Sequence, residues 1–532
     1  MSARALFRAA PAAVALAALA AAPAAAQDVR VQAHLSGKRL PAAFERRLAE
    51  NPAFFEVQGW RAARRVDGEM RGTLPLVVLQ GLFADSPEPQ FTTQQVQQVI
   101  FDGPSPGGTL PDFYTEVSAG RFRVDGDVRP WVRTTVPREG AVDFETGNPV
   151  LFFLQTLQGA DASTDFGLYD NDGPDGVPNS GDDDGRVDAA AFHYIEKAAS
   201  CDGPGIWPHR SRVSNWPRPD GSQPGPYRTD DLRPNGTPIV VDDYITQSTV
   251  DCAGQLLNIA VITHELGHVL GLPDLYDALG SITPDNRRWV VGCWTLMAAG
   301  AWGCGDGAAW THAARPPHMG AWEKAQLGWA EVLDVGDLAG STVTLQAVQG
   351  SNQVLRIPLR QGEYFLVEYR PNTGWDRDLP AGGLLVHHVD ETVPFRPCAG
   401  CPRIYGVSLV EADGNGALLK TAAEGGNRGE AGDVFRPGSA FDAAHGAKTN
   451  AGDATAISLT GIRLAAGGAE FFLQTVWPLR KLLRWLMNGP GEDLTTAEKT
   501  ALDKQGNDND RYDIGDLRAY LLAHPSVAEQ EL

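Results

Sequence analysis

The sequence predicts an α+β protein built in three parts, and three changes of residue pattern predict it. Over residues 71–335, continuous apolar runs of strand length alternate with stretches of helical spacing, as in a mixed α/β unit. From 336 to 476 the apolar period falls to two between Gly, Pro and Asp turns, which marks a β-rich, sandwich-like extension. From 477 to 532 two amphipathic helical pieces flank an Asp/Asn-rich loop, a small helical tail.

Taken in order, Arg4 and Arg8 precede an almost unbroken small apolar run from Ala9 to Ala22, and Ala24, Ala25 and Ala26 follow as the small residues a signal peptidase reads. Residues 1–26 are therefore expected to be a signal peptide for export. Residues 27–70 are polar, with Arg-rich helical pieces, and read as a pro-segment or an N-terminal arm. "LPLVVLQGLF" (Leu74 to Phe83) has the continuous apolar character of a buried strand. "TTQQVQQVIF" has helical spacing, and "LPDFYTEVSAGRFRVDGDVRPWV" reads as a short helix followed by β structure. Residues 252–272 are predicted helical, with Leu256, Ile259, Ile262, Leu266, Val269 and Leu270 on one face and Gly271 and Pro273 as terminators. In the extension, "STVTLQAV", "QVLRIPL", "EYFLVEYR", "GGLLVHHV", "YGVSLVEA" and "AEFFLQTV" are strand-like.

A formal net charge of −21 argues against nucleic acid as partner, because phosphate binding needs clustered Lys and Arg. No stretch beyond the leader reaches the roughly 18 apolar residues of a membrane helix, so no membrane span is expected. The chain is expected to act outside the cell as a monomer. Six cysteines in an exported chain favour disulfides. Order along the chain suggests Cys201–Cys252, Cys293–Cys304 and Cys398–Cys401. The last pair has redox-motif spacing but lacks a surrounding βαβ pattern, which favours a structural clip.

The chemistry concentrates in "VITHELGHVLGLPDLYD" (Val261 to Asp277). Residues four apart share a helix face, so His264 and His268 present two imidazoles to one side, as Zn²⁺ requires. Glu265 would sit beside the ion as a general base rather than on it. A catalytic zinc needs a third ligand. Gly271 lets the backbone turn sharply, and Asp274 lies six residues after His268, where the longer motif of this type places a third histidine. The competing arrangement is a continuous helix with a remote downstream carboxylate. In "CWTLMAAGAW", Met297 follows Asp274 by 23 residues and is placed to form a Met-turn beneath the metal.

With these residues in hand, the chain resembles the secreted bacterial immune inhibitor A metallopeptidases, of the metzincin type. The resemblance extends over "LPDFYTEVSAGRFRVDGDVRPWV", "HRSRVSNW", "PHMGAWEKAQLGW" and the β segments from "EYFLVEYR" to "GEAGDVF", roughly Leu74 to Gln474. It implies zinc on His264, His268 and Asp274, Glu265 as general base, endopeptidase action on protein or peptide substrates, and activation by loss of a pro-segment. The chain departs from the wider metzincin pattern at Ala299, two residues after the Met, where many members carry a Tyr that assists the oxyanion. His318 is a candidate for that role, and equally a structural histidine.

Two acidic segments suggest Ca²⁺. Residues 161–188 hold nine Asp and a single basic residue, with a D-x-D-G pattern occurring twice. Asp170, Asp172, Asp175, Asp182, Asp184 and Asp188 are the expected ligands, against the plainer reading of a solvated acidic loop. In the tail, "LDKQGNDNDRYDIGDLRAYLLAH" resembles one EF-hand or dockerin-like half-site, with Asp503, Asn507, Asn509 and Asp516 as candidate ligands. The sequence thus points to an exported zinc endopeptidase with structural calcium. The rival reading is a calcium-stabilised surface or adhesion protein that keeps the fold without activity.

Overall fold

The computed structural model describes residues 65–66, 68–142, 147–277, 287–306, 311–335, 338–393, 403–477, 479–487, 494–524 and 527. The expected signal peptide, nearly all of the expected pro-segment and the expected Cys398–Cys401 clip lie outside these residues.

The apolar run at Leu74–Phe83 forms β1 (Gly72–Leu82), an inner strand of a mixed sheet. Strand β2 (Phe122–Val128) lies parallel on one side of it and β3 (Ala189–Tyr194) parallel on the other. Beyond β3 come antiparallel β4 (His209–Arg212), at the edge, and parallel β5 (Asp243–Ser248), which gives the order β2–β1–β3–β5–β4. The run is apolar without alternation because both faces are covered. Leu76, Val78, Ala191 and Ile245 meet helices α1 (Leu110–Val117) and α3 (Ala260–Val269). On the other face, Val77, Leu79, Ala190 and Phe192 meet α2 (Val150–Asp161).

Helix α3 is shorter than its sequence pattern suggests. The expected helix over 252–272 begins only at Ala260. The Asp251 carboxylate accepts the N–H groups of Ala253 and Gln255, both at 2.8 Å, and Val250 bridges Leu256, so residues before 260 are committed to a turn. Asn258 then accepts the Ala260 N–H at 2.8 Å and starts the helix.

After α4 (Ala321–Leu327) the chain enters two further sheets. Strands β6 (Glu331–Asp334), β8 (Gln353–Arg360), β9 (Glu363–Arg370), β10 (Gly383–Asp390) and β11 (Val407–Val410) form one. Strands β7 (Ser341–Gln346), β13 (Gly468–Gln474) and β12 (Ser458–Ala465) form the other. All pairings are antiparallel except β6 with β8. Leu355, Phe365, Val367 and Val386 pack against Leu345, Leu459 and Phe471 in the space between the sheets. The opposite face of β9 and β10 presents Leu366, Leu385 and Val389 to the core that holds α3. Every residue of β9 is accordingly buried.

Strand β12 escaped the sequence reading because Gly461, at φ +63°, accompanies a register shift between Thr460 and Arg463 that breaks the alternation. Among its described residues the tail has three helices where two helical pieces were expected: α5 (Leu479–Met487), α6 (Thr496–Gln505) and α7 (Ile514–Ala523). They close over Trp477, Leu502, Leu517 and Tyr520. Among the described residues no helix is long and apolar enough to cross a membrane.

Candidate metal centre

Helix α3 carries His264, Glu265 and His268, and its end is built to return the chain toward them. Gly271 adopts φ +88°, a left-handed conformation that any L side chain would strain. Its N–H donates to His268 O at 2.9 Å, and the Leu272 N–H reaches Gly267 O at 2.9 Å, the paired bonds of a Schellman ending. The turn delivers Leu272 O to His268 Nδ1 at 2.8 Å and places Asp274 beside both imidazoles. Asp274 Oδ1 lies 3.1 Å from His264 Nε2 and 3.4 Å from His268 Nε2. One atom from each of the three residues falls within 4.8 Å of the others, and all three residues are buried.

The imidazole tautomers are set from behind. His264 Nδ1 donates to Leu296 O at 2.9 Å, as His268 Nδ1 does to Leu272 O. A carbonyl can only accept, so each Nδ1 carries a proton and each neutral ring turns an Nε2 lone pair toward the carboxylate. Neither Nε2 makes a hydrogen bond. Two lone pairs and a carboxylate converging in a buried space require a cation. Without a metal, a proton meets that requirement: burial opposes charge on His264, but Asp274 and Glu265 draw its pKa up to about 9. The donor set, two imidazoles and one carboxylate, is one that zinc accepts. Glu265 is 2 % exposed, and its Oε2 has no hydrogen-bond partner. Burial raises its pKa above the ordinary carboxylate value, with the two histidines acting in the opposite direction.

Met297 lies directly under α3. A Cβ added at Gly267 would stand 2.3 Å from Met297 Sδ, so a larger residue there would have to displace the Met297 side chain. Met297 O accepts the Leu275 N–H at 2.7 Å, and Met297 N–H donates to Glu323 Oε1 at 2.7 Å. The turn is thereby pinned both to the chain beside Asp274 and to α4. Gly267→Ala is expected to destabilise the protein by about 1–3 kcal/mol through overpacking. Calorimetry should record this as a Tm lowered by about 2–4 °C per kcal/mol.

Known proteins resemble the part of the chain that houses this cluster. Residues 89–330 match the family described as the immune inhibitor A peptidase M6 catalytic domain. That segment is similar to the catalytic domain of the immune inhibitor A peptidases. The chain is also similar to immune inhibitor A of Bacillus thuringiensis subsp. alesti, 28% identical over 252 residues, which is 43% of this chain and 34% of that relative. It thus spans about a third of the length of the curated relative it matches. The family match ends at 330, so it is narrower than the resemblance read from the sequence, and the β-rich and helical parts fall outside it.

The bridges Cys201–Cys252 and Cys293–Cys304 are both formed. His318 is fully buried, and its backbone N–H donates to Asp376 Oδ1 at 2.9 Å while its carbonyl accepts from Arg370. Burial, with Lys324 and Arg370 close by, holds its pKa well below the ordinary imidazole value. His318 therefore sits in the ionic network of Arg370, Glu368, Asp376 and Lys324 that fastens β9 to Trp294 O and α4.

Of the six aspartates singled out in the acidic loop, Asp170, Asp172 and Asp188 are buried with carboxylate oxygens within 4.8 Å of one another. Asp175, Asp182 and Asp184 are exposed and accept hydrogen bonds in local turns, from Val177 N–H, Asp175 N–H and Arg186 N–H. Asp183, not singled out, is 2 % exposed and accepts the N–H groups of Gly173 and Ser180 at 2.7 Å. In the tail, Asp503 and Asp516 accept backbone N–H groups of their own loop, from Asn509 and from Asn507 and Asp513. The Asn507 and Asn509 side chains donate to Asp513.

Two residues near the centre carried no spacing signal. Arg210 on edge strand β4 donates to His268 O at 2.9 Å and lies 3.6 Å from Asp243. Glu323 braces the Met297 turn, and its only trace in sequence is the Gly320-x-x-Glu323 order of a helix start.

Proposed function

We propose that this protein is an exported zinc endopeptidase in which His264, His268 and Asp274 hold the metal and Glu265 is the general base. The supporting observation is the convergence of two fixed Nε2 lone pairs and one carboxylate in a buried site beside an unpartnered glutamate oxygen. A bound zinc ion supplies a Lewis acid that polarises a carbonyl and acidifies water. Glu265 takes the proton of the attacking water and returns it to the leaving amine of the cleaved peptide. The carbonyls of Leu296 and Leu272 hold the imidazoles in the tautomer that leaves Nε2 free to coordinate. Two disulfides support an oxidising destination for the chain, in keeping with the export signal read at residues 1–26.

Asp170, Asp172 and Asp188 are proposed to hold a structural Ca²⁺. Burial, with Asp183, Asp184 and Asp172 nearby, pushes Asp170 up to about 7, and a divalent cation would offset that repulsion.

A casein-degradation assay tests the catalytic reading. Hydrolysis is expected to vanish on treatment with a zinc chelator and to return with Zn²⁺ but not with Ca²⁺. Absent proteolysis from correctly processed, zinc-loaded protein, combined with a Tm that rises with calcium, would instead support the inactive surface protein.

A further inference from the structure

A second carboxylate group, with two of its three members buried, lies outside the His264 centre, on the β-rich part of the chain. Glu411, Asp413 and Asp433 each offer an oxygen, and these lie within 4.8 Å of one another. Glu411 is 6 % and Asp433 0 % exposed. Asp433 Oδ1 has no hydrogen-bond partner. Its Oδ2 accepts from Trp294 Nε1 at 2.7 Å and from the Glu430 N–H at 3.0 Å. Glu411 accepts the N–H groups of Ala417 at 2.7 Å and Leu418 at 3.2 Å. Asp433 and Asp413 act on Glu411 as like charges, and Asp413 and Glu430 do the same on Asp433. Two buried like charges and a third at the surface beside them, with one buried oxygen left unpaired, call for a cation.

We propose that Glu411, Asp413 and Asp433 bind a Ca²⁺ ion that locks the 411–433 loop onto the segment carrying Met297. The donors are all hard carboxylate oxygens, with no imidazole or thiolate to favour zinc. Mg²⁺ keeps several waters and is seldom caged by protein carboxylates, whereas Ca²⁺ accepts six to eight oxygens in an adaptable shell.

What the ion would hold in place follows from the hydrogen bonds around it. Val290 N–H donates to Leu418 O at 2.9 Å, Cys293 N–H to Arg428 O at 2.6 Å, and Arg428 N–H to Gly305 O at 2.8 Å. The approach is close enough that a Cβ on Gly429 would lie 2.6 Å from Cys293 Sγ. Two residues beyond Trp294, the Leu296 carbonyl receives His264 Nδ1. The calcium loop therefore sets, through Trp294, the chain that orients His264. Its ligands are positioning residues, and they touch neither metal-centre imidazole.

The test counts calcium and zinc separately on the full chain, by equilibrium dialysis with radioactive calcium and by elemental analysis. Asp433→Asn removes a buried ligand charge, and Asp413→Asn changes an exposed one, where folding is least at risk. Each variant is expected to bind one Ca²⁺ fewer per chain than wild type at the same free calcium, with zinc content unchanged at saturating calcium. Wild-type calcium stoichiometry and affinity in both variants would overturn the proposal. Because the two metals are counted apart, that outcome would leave the zinc reading standing, and a missing zinc would leave the calcium count readable.

Discussion

Glu265→Gln is expected to slow peptide hydrolysis by about 10²- to 10⁴-fold, the range that a positioned general base contributes, while zinc content stays at the wild-type level. The argument rests on where the side chain stands. Glu265 is 2 % exposed on the same helix as the two imidazoles, yet neither imidazole leans on it for orientation, since both Nδ1 atoms are held by carbonyls. Removing its charge should therefore leave the ligand set intact. A buried carboxylate with an unpaired oxygen costs stability, so the neutral amide is expected to raise the Tm or leave it unchanged. The combination separates this role from a structural one: a scaffolding glutamate would lower Tm and zinc content together. Undiminished proteolysis in zinc-loaded Glu265→Gln would remove Glu265 from the mechanism.

Much of this centre could be read from the chain because its determinants are local. The i, i+4 histidines, the glycine at the helix end and the carboxylate after it lie within eleven residues, and each acts through backbone geometry that sequence spacing encodes. The continuous apolar run of β1 announced a strand covered on both faces for the same reason. Legibility fails where a distant partner decides. Residues 252–259 carry helical periodicity, but the Asp251 side chain captures two of the N–H groups a helix would need. Strand β12 lost its alternation to the shift at Gly461. In the acidic loop, composition marked the segment but not the inward residues: Asp183 is buried while its neighbours Asp182 and Asp184 are exposed. Arg210, Glu323 and the Glu411 group join residues far apart in sequence, and no spacing rule connects them to α3.

Asp274→Ala is expected to reduce bound zinc from one ion per chain to near none after dialysis against a mild chelator. Loss of an outer-shell partner typically costs about 10- to 100-fold in metal affinity, and Asp274 contributes more than an outer partner does. It is the sole negative group among the three convergent donors, and its oxygen faces both Nε2 atoms. Without it the site holds two neutral imidazoles, too few for a zinc centre of three protein ligands. The loop itself need not collapse, because the Leu275 N–H remains bonded to Met297 O. Asp274→Asn refines the measurement: it keeps the side-chain shape, so parallel zinc loss in both variants assigns the effect to the carboxylate. Retained zinc in both would instead place the third ligand on a remote carboxylate, and the turn at Gly271 would then serve only to orient His268.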